Sequence, residues 1–162
     1  QIPHVRSAAE ARAAVAAVKY HPLGTRSLAA GTRAAAYDAQ GSMADHVRSA
    51  NEQTLIAAQI EDREALDNLD EILQVDGIDV FFVGPSDLSQ SMGHPGNAKA
   101  PVVAAAIDDC LARIRAAGRI AGMPAATEQV QDALAKGVRY IYTHVPKLLA
   151  ASARGYFDQA RS

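Results

Sequence analysis

The chain is poor in the residues that mark several large classes of protein. It has a single cysteine, Cys110, in 162 residues, and that excludes an internal disulfide framework and any cysteine-cluster zinc site. It has no tryptophan, and aromatic residues make up only 5%. No aromatic residues interleave with its scattered lysines and arginines, so no base-stacking surface for single-stranded nucleic acid is marked. Charge of one sign is also missing: the formal net charge is −2, which gives no electrostatic case for nucleic acid or an anionic membrane surface. No apolar run approaches the ~20 residues of a membrane span. The opening residues QIPHVRSAAEA lack the charged and apolar regions of a signal peptide. A cytoplasmic protein with neither nucleic-acid nor membrane partners is the expectation. Hydrophobic residues at 49% and charged residues at 21% suit a folded chain with a sizeable core, read as a single domain over 1–162.

Short apolar runs alternate with longer helical patterns. Gln1 to Val5, Thr54 to Ile60, Asp79 to Val83, Arg119 to Met123 and Val138 to Tyr142 read as strands, because each is short, apolar and bounded by turn or helix signals. Ser7 and Glu10 have capping-box spacing and open an Ala-rich helix that runs to Val18. Tyr20 to Gly31 reads as a loop, followed by short helical stretches over Thr32 to Ala39 and Ser42 to Ser49. Leu66, Leu69, Ile72 and Leu73 share one face of a helix over Arg63 to Leu73. GPSDLSQSMGHPGN is dense in turn residues and reads as a loop. Further helices cover Val102 to Ala117, Thr127 to Lys136 and Pro146 to Ala160, the first two closed by Gly118 and Gly137. Such alternation implies an α/β fold with a parallel sheet. The pattern leaves open whether the sheet is doubly wound or part of a (β/α) barrel.

Either architecture binds ligands at the C-terminal ends of its parallel strands. Two carboxylates lie there: Glu61 directly follows TLIAAQI, and Asp87 follows DVFFV by a Gly-Pro-Ser turn. Hard oxygen donors on neighbouring strand ends suit Mg²⁺ or Mn²⁺, with water and substrate completing the shell. Helix capping is the plainer role for each. The turn at Gly84, Pro85, Ser86 and Asp87 lets backbone approach a ligand closely, and its N–H groups suit an anion.

The stretch AAQIEDREALDNLDEILQVDGIDVFFVGPSDLSQSMGHPGN resembles the core signature of the HpcH/HpaI aldolase family of class II pyruvate aldolases. The upstream IPHVRSAAEARAAVAAVKYHPLGTRS is similar to that family's fourth strand, helix and Pro-x-Gly-x-Arg loop, and IRAAGRIAGM extends the match. The resemblance implies a TIM-type parallel (β/α)8 barrel, of which this chain holds about five of eight strand–helix units in the C-terminal portion. It implies cleavage of a 4-hydroxy-2-oxoacid into pyruvate and an aldehyde, with Mg²⁺, Mn²⁺ or Co²⁺ held by Glu61 and Asp87. Gln59 then stands beside bound pyruvate or another 2-oxoacid, and Gly84, Ser86 and Asp87 form the turn that holds its carboxylate. The family's acid/base His and oxo-binding Arg lie on the three strands before this stretch and have no counterpart in these residues. His4 and His144, at strand ends, are the weak substitutes, and Arg6 also lies near the first strand end. The alternative implied is a non-catalytic partial barrel that binds metal or oxoacid, or serves as an assembly module. The family's habit of forming trimers and hexamers, with the last helix against a neighbour, implies a homo-oligomer. Leu148, Leu149, Tyr156 and Phe157 give that helix an apolar pattern suited to such a contact.

Overall fold

The apolar runs sort themselves by length and surroundings. Ala57–Ile60 forms strand β1 and Val80–Val83 forms β2, both too short and too thoroughly buried to be helices. Ile120–Pro124 forms β3 and Tyr140–Tyr142 forms β4. The computed structural model describes residues 1–38 and 41–161. Its four strands make one parallel sheet in the order β1-β2-β3-β4, with Gln59 opposite Phe82, Phe82 opposite Gly122, and Gly122 opposite Tyr140.

Helices carry the chain between strands. Ala8–Val18 (α1) and Met43–Gln53 (α2) precede β1. Arg63–Asp67 (α3) and Leu69–Leu73 (α4) link β1 to β2, and Pro85–Ser91 (α5) and Pro101–Ala116 (α6) link β2 to β3. A 3-10 turn at Thr127–Gln129 and Val130–Ala135 (α7) lead into β4, and Val145–Arg161 (α8) follows. One face of the sheet, through Ala58, Ile60, Phe81, Val83 and Ala121, packs on the helices against Leu69, Ile72, Val103, Leu111 and Ile114. The opposite face, which a closed barrel turns inward, carries Ala57, Val80 and Phe82 beneath Tyr140 and Tyr142. Gly122 makes that aromatic packing possible: a Cβ there would lie 2.9 Å from both Phe82 Cδ2 and Val80 Cγ1. The rings of Phe82 and Tyr142 stack with centroids 5.2 Å apart. The fold is therefore α/β, with a parallel sheet that forms part of a TIM-type barrel.

Several local expectations change. The strand expected over Gln1 to Val5 is reduced to a parallel bridge of Ile2 on Ala58, with Val5 N–H donating to Gln59 O at 3.2 Å. Pro3 has no N–H to give, and His4 turns into the left-handed region at φ 54°, so a regular ladder stops. The helix expected over 63–73 breaks at Asn68 (φ −95°, ψ 6°), whose side-chain amide donates to Arg6 O at 2.9 Å. The stretch read as a loop after Val83 is helical from Pro85 to Ser91. Proline is preorganised for the first helical position, and Leu88 is drawn into the core. The helix expected over Thr32 to Ala39 is a single irregular 3-10 segment, Arg33–Asp38, interrupted by left-handed Ala36 and Tyr37; Ala39 lies outside the described residues.

Upstream of β1, a buried lysine holds the loop in place. Lys19 Nζ donates to Asn51 O and Thr54 O, both at 2.7 Å, at the carbonyl end of α2. The Arg26 guanidinium lies over the Tyr20 ring at 4.6 Å, so Arg26 braces the loop after α1. No helix among the described residues is long and apolar enough to cross a membrane.

Candidate functional site at the strand ends

Glu61 leaves the C-terminal end of β1 and is almost fully buried, at 1% exposure. Its two carboxylate oxygens have different partners. Oε1 accepts the His4 backbone N–H at 3.0 Å, and Oε2 accepts Gln59 Nε2 at 2.8 Å. Gly84, at the end of β2, lies directly against this side chain: an added Cβ would collide with Glu61 Oε2 and sit 2.9 Å from Glu61 Cβ. Gly84 has φ −99°, open to any residue, so glycine is needed here for room and not for backbone freedom.

Asp87 lies in the first turn of α5, after Gly84 and Pro85. Leu88 N–H reaches back to Gly84 O at 3.0 Å, so the N–H groups of Ser86 and Asp87 are the first-turn donors that helix geometry leaves without an intrahelical acceptor. The Asp87 side chain is exposed, and its charge is among the lesser influences on both Glu61 and His4. Burial pushes the Glu61 carboxyl above the usual carboxylate range. The Asp87 charge adds to that rise, while the His4 N–H, the His4 ring and the Gln59 amide oppose it. A buried carboxylate is costly to keep charged unless donors or a cation stand beside it.

His4 stands on the other side of Glu61. Its ring Nδ1 is 3.0 Å from Asp62 Oδ2 and 3.7 Å from Glu61 Oε1. The Asp62 hydrogen bond, then the Asp62 charge, raises the imidazole above its usual pKa. Of the other strand-end candidates, Arg6 turns back to α1 and pairs with Glu10 at 2.8 Å. His144 packs edge-on against Tyr142 with centroids 5.3 Å apart. It lines a cavity of about 530 Å³ between α6, α7 and the ends of β3 and β4, whose lining includes neither Glu61 nor Asp87. The structure thus brings Gln59, Glu61, Gly84 and His4 into contact, sets Ser86 and Asp87 on the turn after Gly84, and places His144 on a neighbouring cavity that Pro85 also lines. Asp62 is the participant that sequence reasoning passed over. The only signal for it was its position immediately after Glu61 at a strand end.

Among the described residues, no three or more His, Cys, Asp or Glu side chains converge at metal-ligand spacing. Any cation held here would therefore take at most two protein carboxylates, with the remaining positions open to an amide oxygen, water or an oxygen-rich ligand.

A parallel sheet with helices packed on its outer face is the architecture of a (β/α)-barrel protein, a class that binds ligands at the C-terminal mouth. The chain belongs to the HpcH/HpaI aldolase/citrate lyase family, whose model matches residues 1–144. It is 42% identical over 153 residues to the 2-keto-3-deoxy-L-rhamnonate aldolase of Salmonella paratyphi B, covering 94% of this chain and 57% of that protein. It is 45% identical over 129 residues to the 4-hydroxy-2-oxo-heptane-1,7-dioate aldolase of Klebsiella pneumoniae subsp. pneumoniae, covering 80% of this chain and 48% of that protein. The chain thus spans about half the length of the curated relatives it matches. The crystal structure of an HpcH/HpaI aldolase/citrate lyase family protein from Burkholderia cenocepacia J2315 superposes on it with a TM-score of 0.89. That match is 30% identical and covers 99% of this chain and 64% of that one.

Proposed function

We propose that this chain carries the metal and oxoacid half of a class II aldolase that splits a 4-hydroxy-2-oxoacid into pyruvate and an aldehyde. The observation that carries the proposal is the buried Glu61 carboxylate at the mouth of a parallel sheet, with Asp87 just past the end of the adjoining strand. A buried carboxylate at one strand end, with a second, exposed one just past the end of the adjoining strand, suits a divalent cation open to solvent and substrate, and both offer hard oxygen donors. Glu61 and Asp87 would hold Mg²⁺, Mn²⁺ or Co²⁺. When bound, such a cation withdraws electrons from a 2-oxoacid and stabilises the negative charge that develops as the C3–C4 bond breaks.

The chain's own residues have separate tasks in this reading. Gln59 orients Glu61 through its Nε2 and stands beside the 2-oxoacid in this reading. The first-turn N–H groups of Ser86 and Asp87 receive the carboxylate of that ligand, helped by the positive end of α5. Gly84 leaves room for the Glu61 side chain at the end of β2. Proton removal from the 4-hydroxyl group and binding of the oxo oxygen are the work of the family His and Arg, which have no counterpart in these residues. The polypeptide studied alone is therefore expected to bind metal and oxoacid far better than it turns substrate over. General acid/base catalysis is typically worth ~10²–10⁴-fold.

Support for the aldolase reading comes from the two curated relatives, both named aldolases of 2-oxoacids. The direct test is calorimetric titration of Mn²⁺ into metal-free protein, followed by oxalate, a planar stand-in for the pyruvate enolate. Mn²⁺ should bind once, and oxalate only after it. Equal Mn²⁺ affinity in the wild type and the Glu61→Ala, Asp87→Ala double variant would refute the assignment, as would oxalate binding that survives a chelator.

A further inference from the structure

Asp62 occupies the N-cap position of α3, with extended backbone at φ −119° and ψ 150°, yet its side chain makes no cap hydrogen bond. An aspartate at this position ordinarily accepts from the N–H groups of the first turn. Here Oδ2 is committed instead to His4 Nδ1 at 3.0 Å, and the Ser91 hydroxyl takes the Arg63 N–H at 2.8 Å. A helix that forgoes its own cap gives up stability, so the diverted carboxylate calls for a reason.

The reason lies at the other end of that hydrogen bond. His4 has φ 54°, a left-handed conformation that is uncommon for any residue with a side chain, although histidine, asparagine and aspartate enter it more often than the rest. In that conformation its backbone N–H points at Glu61 Oε1, 3.0 Å away, while Ile2 and Val5 on either side stay bonded to β1. An extended residue at this position would continue the strand and could not aim its N–H at the carboxylate. Strained backbone persists only where the surroundings hold it. The imidazole is otherwise loosely held, being 55% exposed.

We propose that Asp62 and His4 form a latch that positions the metal-binding carboxylate: Asp62 grips the His4 ring, the grip holds residue 4 in its left-handed conformation, and the His4 backbone N–H fixes one oxygen of Glu61 while Gln59 fixes the other. His4 is thus a positioning residue, and its contribution passes through its backbone. The inference rests on the assignment of Glu61 as a metal ligand. Groups that orient a ligand from behind typically carry ~10–100-fold of metal affinity.

The distinction between ring and backbone makes the latch testable. Glycine adopts the left-handed conformation without help, so His4→Gly keeps the N–H in place and removes the ring. Valine, with its branched Cβ, resists that conformation. Asp62→Ala removes the grip and costs α3 no cap bond, because none is made. Mn²⁺ affinity, read by titration calorimetry or by the loss of the free-ion electron paramagnetic resonance signal, should stay near wild type in His4→Gly. It should fall ~10–100-fold in His4→Val and in Asp62→Ala. The Asp62→Ala penalty should largely disappear in the His4→Gly background, where no latch is needed. Loss of the Asp62 charge alone would weaken binding equally in both backgrounds, and that result would overturn the latch. Loss of affinity in His4→Gly as large as in His4→Val would also overturn it, by assigning the effect to the imidazole. Thermal unfolding of each variant separates misfolding from a local effect; the Asp62→Ala comparison across the two backgrounds decides the matter even where His4→Val fails to fold. Absence of Mn²⁺ binding in the wild type would instead overturn the reading of the site, and the latch with it.

Discussion

Replacing Gly84 with alanine adds one methyl group to the protein and places it on the most buried charge of the site. The new Cβ would lie 2.9 Å from Glu61 Cβ and against Glu61 Oε2. Carbon atoms pack best at about 3.5–4.0 Å, so the first contact alone is short by about 0.6–1.1 Å. Relief by rotating Glu61 away is blocked on both sides: Gln59 holds Oε2 at 2.8 Å and the His4 N–H holds Oε1 at 3.0 Å. Relief by moving backbone means separating the ends of β1 and β2, where Ile60 is paired with Val83. Overpacking of this kind costs ~1–3 kcal/mol. In a chain of this length each kcal/mol lowers Tm by ~2–4 °C, so Gly84→Ala should melt about 2–12 °C below wild type. Because the displaced group is the proposed metal ligand, Mn²⁺ affinity should fall together with Tm. Differential scanning calorimetry and a Mn²⁺ titration on the same sample measure both. A Gly84→Ala variant with unchanged Tm and unchanged affinity would show that Glu61 has freedom the packing denies it, and would refute the argument.

Other outcomes follow from single sites. Burial pushes the Cys110 thiol up from 9.0 to about 12. Its contribution to stability is whole below pH 9 and is lost as pH rises toward 12, so wild type should lose ~1.4 kcal/mol per pH unit more than Cys110→Ala across that window. Parallel slopes in denaturant titrations at pH 8 to 10.5 would count against it. Gly155 lies within α8 with nothing near its missing Cβ, so Gly155→Ala should stabilise that helix by ~0.5–1 kcal/mol, read as slower amide exchange along α8. Faster exchange would contradict the reading. The α8 residues Leu149, Tyr156 and Phe157 are 68%, 70% and 55% exposed. Light scattering should accordingly find a homo-oligomer, the trimer or hexamer the family resemblance implies, and Leu149→Asp should shift it toward monomer. A monodisperse monomeric wild type would refute that expectation.

The parts of this protein that were legible in the sequence are those governed by local patterning. Buried parallel strands are continuous apolar runs, so VFFV and AAQI announced themselves, as did the helices ended by Gly118 and Gly137, both at positive φ. Glu61 and Asp87 were legible as acidic groups at strand ends because such ends are where this architecture places ligands. What escaped was decided by contacts between residues far apart in the chain. Helix α5 was hidden in a run of turn residues because its stability comes from burying Leu88, a tertiary effect that outweighs local propensity. The break at Asn68 depends on a carbonyl 62 residues away. Histidine enters left-handed backbone more often than most residues but far too rarely to signal it, and the contacts with Asp62 and Glu61 that accompany it at His4 come from residues 57 and 58 positions away. The sequence by itself determined which groups stand at the mouth of the sheet, since strand periodicity and the Gly-Pro turn put them there. Only the tertiary structure decided that the Glu61 carboxylate is buried, held at both oxygens and pressed against Gly84, because burial and hydrogen-bond direction are properties of the packed neighbourhood and not of any one segment.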